Sequence, residues 1–286
     1  MEFNYRRAFS RNIGWVTEEE QKKLKKSRVA IAGLGGVGGS HLLTLARLGV
    51  GSFNISDFDD YGIENFNRQA GAFISTLDQS KLDTMRSMLL DINPDAKVRV
   101  FESGVNKGNL DEFLDGVDLY VDSLDFFAVK ARIATFEACQ RKAIPAITAA
   151  PLGMGTAFLA FTSDSMSFED YFRLRGKTEN QQLARFLVGL SPALLQTGYL
   201  VDKSTVDFEA KKGPSTAMAC ELCAGVAATN ALKILLQRGK VVKAPHGLHF
   251  DAYRNRLKIT WRPWGNRNPL QLVAIKMAER LIRPDT

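Results

Sequence analysis

Cysteine is scarce: the 286 residues contain three, Cys139, Cys220 and Cys223. Three unevenly spaced thiols cannot staple a fold, which excludes a secreted disulfide scaffold and points to a reducing compartment. Long hydrophobic runs are also lacking, and none is expected to reach the roughly 20 residues that span a bilayer. Met1 to Arg11 is polar and carries no apolar signal segment, so a cytoplasmic protein without a membrane partner is expected. There is no internal repeat, no low-complexity tract, and no zinc-finger, RNA-recognition or helix-turn-helix pattern. What is present is ordinary for a globular chain, 45% apolar and 24% charged residues. The formal net charge of +7 suits nucleic acid, an anionic surface or an acidic protein, and equally a basic surface with no partner.

Along the chain, strand and helix patterns alternate. Thr17 is placed to cap a charged helix over Glu18 to Lys26. Val29 to Ala32 reads as a buried strand, Gly38 to Leu48 as a helix stopped by Gly49, and Ser52 to Ser56 as a second strand. Leu82, Met85, Leu89 and Ile92 recur at helical spacing until Asn93-Pro94. Val98 and Val100 alternate as a third strand, Val117 to Val121 reads as a fourth, Phe127 to Lys142 as a helix and Ile144 to Ala149 as a fifth strand. This alternation predicts an α/β fold, a Rossmann-like and mainly parallel sheet with helices on both faces. The pattern changes after Pro151. Ala157 to Phe161 is strand-like, and helical stretches over Phe168 to Leu174 and Gln181 to Val201 are broken by Pro192 and Gly198. A long helix over Ala217 to Gln237, a hairpin over Leu248 to Arg262 turning at Arg254-Asn255, and a last helix opened by Asn268-Pro269 complete a mixed, antiparallel C-terminal part. The chain divides as one domain: an arm and helix (1–27), a nucleotide-binding half (28–162), an insertion (163–215) and a C-terminal part (216–286).

Gly33-Leu34-Gly35-Gly36-Val37-Gly38 places G-x-G-x-x-G between a strand and a helix. Glycines there permit a tight turn and close backbone approach to phosphate, and the helix start adds unpaired N–H groups. Asp57, at the end of the second strand, lies where an acid grips a ribose hydroxyl. These residues say nucleotide and leave NAD, FAD and ATP open. Arg68 in Asn65-Phe66-Asn67-Arg68-Gln69, and Lys81, supply cations that a triphosphate needs and a nicotinamide does not. Asp125 follows the fourth strand at the carboxyl edge of the sheet, where a lone carboxylate suits Mg²⁺ completed by water.

The series GLGGVGG, DFDDYGIENFNRQ, SKLD and DSLDFF resembles the ThiF/MoeB/HesA-type branch of the ubiquitin-activating superfamily, from about Ser10 to Pro151. The resemblance implies an enzyme that adenylates a carboxylate with MgATP. It assigns the ribose to Asp57, phosphate contacts to Asn65 and Arg68, a cationic role to Lys81 and the metal to Asp125. The nucleotide set is then Gly33, Gly35, Gly36, Gly38, Asp57, Asp59, Asn65, Arg68, Gln69, Lys81 and Asp125. Ser10-Arg11-Asn12-Ile13 is similar to the family motif that sends an arginine into a second subunit's site, which implies a homodimer with Arg11 donated in trans. The implied substrate is the C-terminus of a small ubiquitin-like or sulfur-carrier protein, another carboxylate, or a modified tRNA nucleoside.

Two features depart from the family. Phe126 stands where an asparagine usually follows the metal aspartate. Many bacterial members carry two Cys-x-x-Cys pairs, whereas here only Cys220-Glu221-Leu222-Cys223 exists and His41, His246 and His249 show no matching spacing, so no zinc is expected. The insertion contains no cysteine, so adenylation without a thioester is expected, with Cys220 and Cys223 either reactive or buried and Cys139 in the core. Phe186, Leu187, Leu190, Leu194 and Leu195 either line a partner groove or pack on the sheet. A nicotinamide or flavin oxidoreductase, and an inactive binding module of the same fold, are the competing readings.

Overall fold

The computed structural model describes residues 2–191 and 193–282, so Pro192, expected to break the insertion's helix, lies outside the described residues. A short helix α1 (Tyr5–Ala8) precedes α2 (Glu18–Lys26). The start of α2 is a reciprocal cap: Glu20 N–H donates to the Thr17 hydroxyl, and Thr17 N–H donates to the Glu20 carboxylate. Five strands then lie parallel: β1 (Arg28–Ala32), β2 (Ser52–Ser56), β3 (Lys97–Phe101), β4 (Leu119–Asp122) and β5 (Ala146–Leu152). Antiparallel β6 (Gly155–Phe161), β7 (His246–Asp251) and β8 (Arg256–Trp261) extend the sheet to the order β3-β2-β1-β4-β5-β6-β7-β8. The change of direction comes from a tight turn at Gly153, whose φ of 61° is left-handed.

The helices are α3 (Gly36–Arg47), α4 (Lys81–Ile92), α5 (Leu110–Phe113), α6 (Val129–Arg141), α7 (Phe168–Phe172), α8 (Glu179–Leu190), α9 (Ala217–Leu236) and α10 (Pro269–Ile282). They cover both faces, as β1 makes plain. Val29 and Ile31 join a core with Leu42 and Leu45 of α3, Met85 of α4 and Ala227 of α9. Ala30 and Ala32 face a second core with Phe136 of α6, Phe168 and Phe172 of α7, and Phe186 of α8. Alternation along a strand buried on both faces requires this division. Each fully buried large apolar side chain contributes roughly 1.5–3 kcal/mol.

The helical stretch expected over Gln181 to Val201, with breaks at Pro192 and Gly198, is a helix that ends at Leu190, and a 3₁₀ turn (Leu195–Gly198) follows after Leu194 takes a left-handed conformation (φ 47°). Phe186, Leu190 and Leu195 are buried, so they pack inside the fold and line no partner groove; only Leu194 of that set is exposed. By length and composition alone α9 suits a membrane span, which corrects the expectation that no such run exists; 56% of its apolar window is buried inside this fold.

The register positions the site. Ala32, the last residue of β1, pairs with Ser56 of β2 on one side and Asp122 of β4 on the other. The loops that follow these three strands therefore emerge side by side at one sheet edge, where ligands bind in doubly wound folds.

Candidate nucleotide site

The loop after β1 is fitted to its neighbours by glycine. Gly33 is left-handed (φ 86°), and a Cβ there would stand 2.3 Å from the Ser123 carbonyl oxygen. A Cβ on Gly38 would stand 1.9 Å from the Gly33 carbonyl oxygen. Gly33 thus lets the loop lie against the one after β4, and Gly38 lets α3 pack beneath it. Gly35 caps α3 without a side chain, which leaves first-turn N–H groups directed at the edge.

Asp57 fastens two of the loops together. One carboxylate oxygen accepts from Leu34 N–H at 2.6 Å, and the other from Phe58 N–H at 2.8 Å and Asp59 N–H at 2.9 Å. A carboxylate has about four acceptor positions, so capacity for a ribose hydroxyl remains. Asn65 is buried and accepts from Gly62 N–H at 3.1 Å, which ties its own turn. Arg68 donates to the Glu64 carbonyl at 3.0 Å and to Asn67 Oδ1 at 2.9 Å, and its Nε lies 3.7 Å from where a Gly36 Cβ would stand. Gln69 is buried with its Nε2 3.6 Å from the equivalent point at Gly35, and its Oε1 has no partner. The sequence-selected Arg68 and Gln69 therefore reach the glycine loop itself.

Lys81 opens α4, and its Nζ lies 3.1 Å from Asp59 Oδ2. The lysine side chain is 8% exposed and its partner 55%, so the cation sits within the wall and the anion faces out. Asp125 is exposed, and one of its oxygens accepts from Phe127 N–H at 2.9 Å. Phe126, at the position where the resemblance expects asparagine, packs its ring 5.5 Å from that of Phe186. The side chain at this position takes an apolar seat on α8.

Sequence reasoning missed one element. Asp122 and Arg132 form an ion pair at 2.8 Å with side chains 1% and 3% exposed. The only sign was an arginine on a helix that buries Val129, Phe136 and Cys139. Arg11 is exposed in the turn Ser10–Asn12, where the neighbouring Asn12 donates to the Leu48 carbonyl at 3.1 Å. That is the far end of α3, roughly 18 Å from the glycine loop at 1.5 Å per residue, so the chain does not bring its own Arg11 to this edge.

The three thiols are free and buried. Cys220 Sγ stands 3.4 Å from the Gly36 Cβ position, and burial pushes the thiol up against the opposing pull of Ser215 and Arg68. Cys223 donates to Thr156 Oγ1 at 3.1 Å, and burial raises it as well. Among the described residues no group of three or more His, Cys, Asp or Glu side chains is placed to hold a metal. Lys25, Lys26, Lys97 and Asn93 line a concavity of about 380 Å³ beside Ser52, at the opposite edge of the sheet. Chemistry and geometry favour the glycine-loop edge: open helix N–H groups, a buried amide oxygen without a partner, and two cations.

The chain matches the ThiF family over residues 9–271 and belongs to it. Over 141 residues it is 37% identical to the tRNA threonylcarbamoyladenosine dehydratase of Bacillus subtilis (strain 168), a match covering 49% of this chain and 55% of that one. Over 147 residues it is 31% identical to the sulfur carrier protein ThiS adenylyltransferase of Escherichia coli (strain K12), covering 51% and 58%. The chain thus spans little more than half the length of these relatives. In structure it is similar to E. coli MccB with ATP (TM-score 0.65, 20% identity, 91% of this chain and 71% of that one). It is also similar to E. coli tRNA N6-threonylcarbamoyladenosine dehydratase, TcdA (TM-score 0.61, 21% identity, 81% and 95%). At these identities the likeness is one of fold.

Proposed function

We propose that this chain is an ATP-dependent adenylyltransferase that activates a carboxylate as an acyl-adenylate. The observation that carries the reading is the meeting of loops at one sheet edge: Asp57 bonded to Leu34, Arg68 and Gln69 against Gly36 and Gly35, and the loop of Asp125 against Gly33. In this reading ATP is a substrate laid across the glycine loop, with its ribose at Asp57 and its phosphates toward Arg68, Lys81 and the start of α3. The substrate carboxylate attacks the α-phosphorus, the bond to the β-phosphate breaks, and pyrophosphate departs with that electron pair. A carboxylate is already nucleophilic near pH 7, so the protein's work is alignment and charge neutralisation. Asp125 is the residue that would hold Mg²⁺, whose charge would offset that of the phosphates. Arg11 of a second copy supplies a further cation, which makes the working unit a homodimer.

The named relatives support a tRNA nucleoside or the C-terminus of a small carrier protein as the substrate class. The second reading, an inactive binding module, draws on Phe126, which stands where the family usually has asparagine and packs its ring on Phe186. Titration calorimetry with ATP and with NAD, on wild type and Arg68→Ala, tests the reading. ATP binding that weakens in the variant, without NAD binding, is expected. NAD binding that is indifferent to Arg68 would replace the reading with an oxidoreductase.

A further inference from the structure

We propose that Arg132 is a positioning residue that sets the loop carrying Asp125, and that Phe186 of the insertion helix completes its seat. The inference rests on the adenylylation reading for its consequence, and on the geometry of this chain for its cause.

Arg132 projects from α6, and one guanidinium holds three successive carbonyls of the β4–α6 loop. Its terminal nitrogens donate to the carbonyl of Leu124, to that of Asp125 at 3.1 Å and to that of Phe126 at 3.5 Å. Its Nε donates to Asp122 Oδ2 at 2.8 Å. The other oxygen of Asp122 accepts from the Tyr120 hydroxyl at 3.2 Å and from Leu124 N–H at 3.4 Å. The Phe186 ring covers the guanidinium carbon at 4.4 Å, and Phe126 packs on that same ring. The end of β4, the loop backbone and α8 therefore meet on one side chain.

A buried ion pair of this kind is weak evidence for added stability, because desolvation offsets its attraction. What the arrangement does supply is a defined backbone path. With the carbonyls of residues 124–126 turned inward, the Asp125 side chain is left exposed at the edge, braced by Phe127 N–H. Lysine cannot hold the loop in this way, because it offers a compact point charge on a flexible stem where arginine offers five donors in a planar fork. Groups that orient a metal-holding carboxylate typically change metal affinity by ~10–100-fold when removed.

The test uses the 286-residue chain as wild type, Arg132→Lys, Phe186→Leu, Asp125→Asn and the Arg132→Lys/Asp125→Asn double variant. Amide hydrogen exchange without nucleotide reads the loop directly. Exchange at 123–128 is expected to accelerate at least ~10-fold in Arg132→Lys while β1 and β2 keep their protection. ATP binding as a function of Mg²⁺ reads the consequence. The half-saturating Mg²⁺ is expected to rise ~10–100-fold in Arg132→Lys and less in Phe186→Leu. The double variant is expected to bind no worse than Asp125→Asn alone, since both changes act on one carboxylate. Unchanged exchange at the loop, or an unchanged Mg²⁺ dependence in both single variants, overturns the proposal. If Arg132→Lys does not fold, Phe186→Leu, which keeps the ion pair, decides by the same two readouts. A wild type that binds no ATP refutes the adenylylation reading, and the exchange measurement still decides whether Arg132 sets the loop.

Discussion

Acid should destabilise this protein, and one buried side chain should supply a separable part of the loss. His41 lies on α3, fully buried, and neither ring nitrogen has a partner. Burial pushes it from its ordinary value of 6.5 down to about 3. The unfolded chain therefore takes up a proton near pH 6.5 and the folded chain does not until near pH 3. Between those limits the unfolded state holds more protons, so stability falls as pH falls, and the full contribution is present only above about pH 6.5. With these two values the linkage integral between about pH 8 and pH 5 is about 2 kcal/mol, a sizeable part of a typical stability of ~5–15 kcal/mol. Urea unfolding at the two pH values, on wild type and His41→Leu, measures it. Leucine removes the titrating group together with the two unpartnered nitrogens. The drop in stability from pH 8 to pH 5 should be about 2 kcal/mol smaller in the variant. An equal drop in both proteins would refute the assignment.

In Gly38→Ala the new Cβ would meet the Gly33 carbonyl oxygen at 1.9 Å, backbone against backbone. The variant is expected to lose about 1–3 kcal/mol in thermal unfolding and to bind ATP more weakly; retention of both properties would contradict the loop geometry. All three thiols are buried and burial raises each of them, so an aromatic disulfide reagent should label the native protein slowly and label all three cysteines in urea. Labelling of Cys220 at the rate of a free thiol would reopen a thioester role. Mixing Arg11→Ala with Arg68→Ala should restore about a quarter of wild-type activity, because half the dimers are mixed and each of those has one intact site. No recovery in freely exchanging subunits would place Arg11 outside the partner's site.

The parallel half of the fold was legible because its signals are local. Val29 to Ala32, the glycine run and the helix after it form a strand, turn and helix whose sequence preferences agree. Arg68 and Gln69, chosen from the sequence as candidates for nucleotide contact, stand against the glycine loop. The less legible parts depend on distant contacts. DSLD contains two aspartates, and periodicity does not distinguish the buried Asp122 from the exposed Asp125, because an arginine ten residues on neutralises the first. Phe126 and Phe186 are sixty residues apart in the chain and meet only through the packing of α8. The end of α8 at Leu190 was legible from Pro192 in the sequence, whereas nothing local announces the left-handed leucine at 194.

The measurement closest to the central claim is carboxylate-dependent exchange of labelled pyrophosphate into ATP, run with tRNA and carrier-protein C-termini as substrates. Exchange by the wild type, reduced roughly 10²–10³-fold in Arg68→Ala and in Asp125→Ala with folding intact, is the predicted result. Full exchange in both variants would contradict the roles given to these residues. A wild type that binds ATP yet exchanges no pyrophosphate with any of these carboxylates would make the chain a binding module of the ThiF fold.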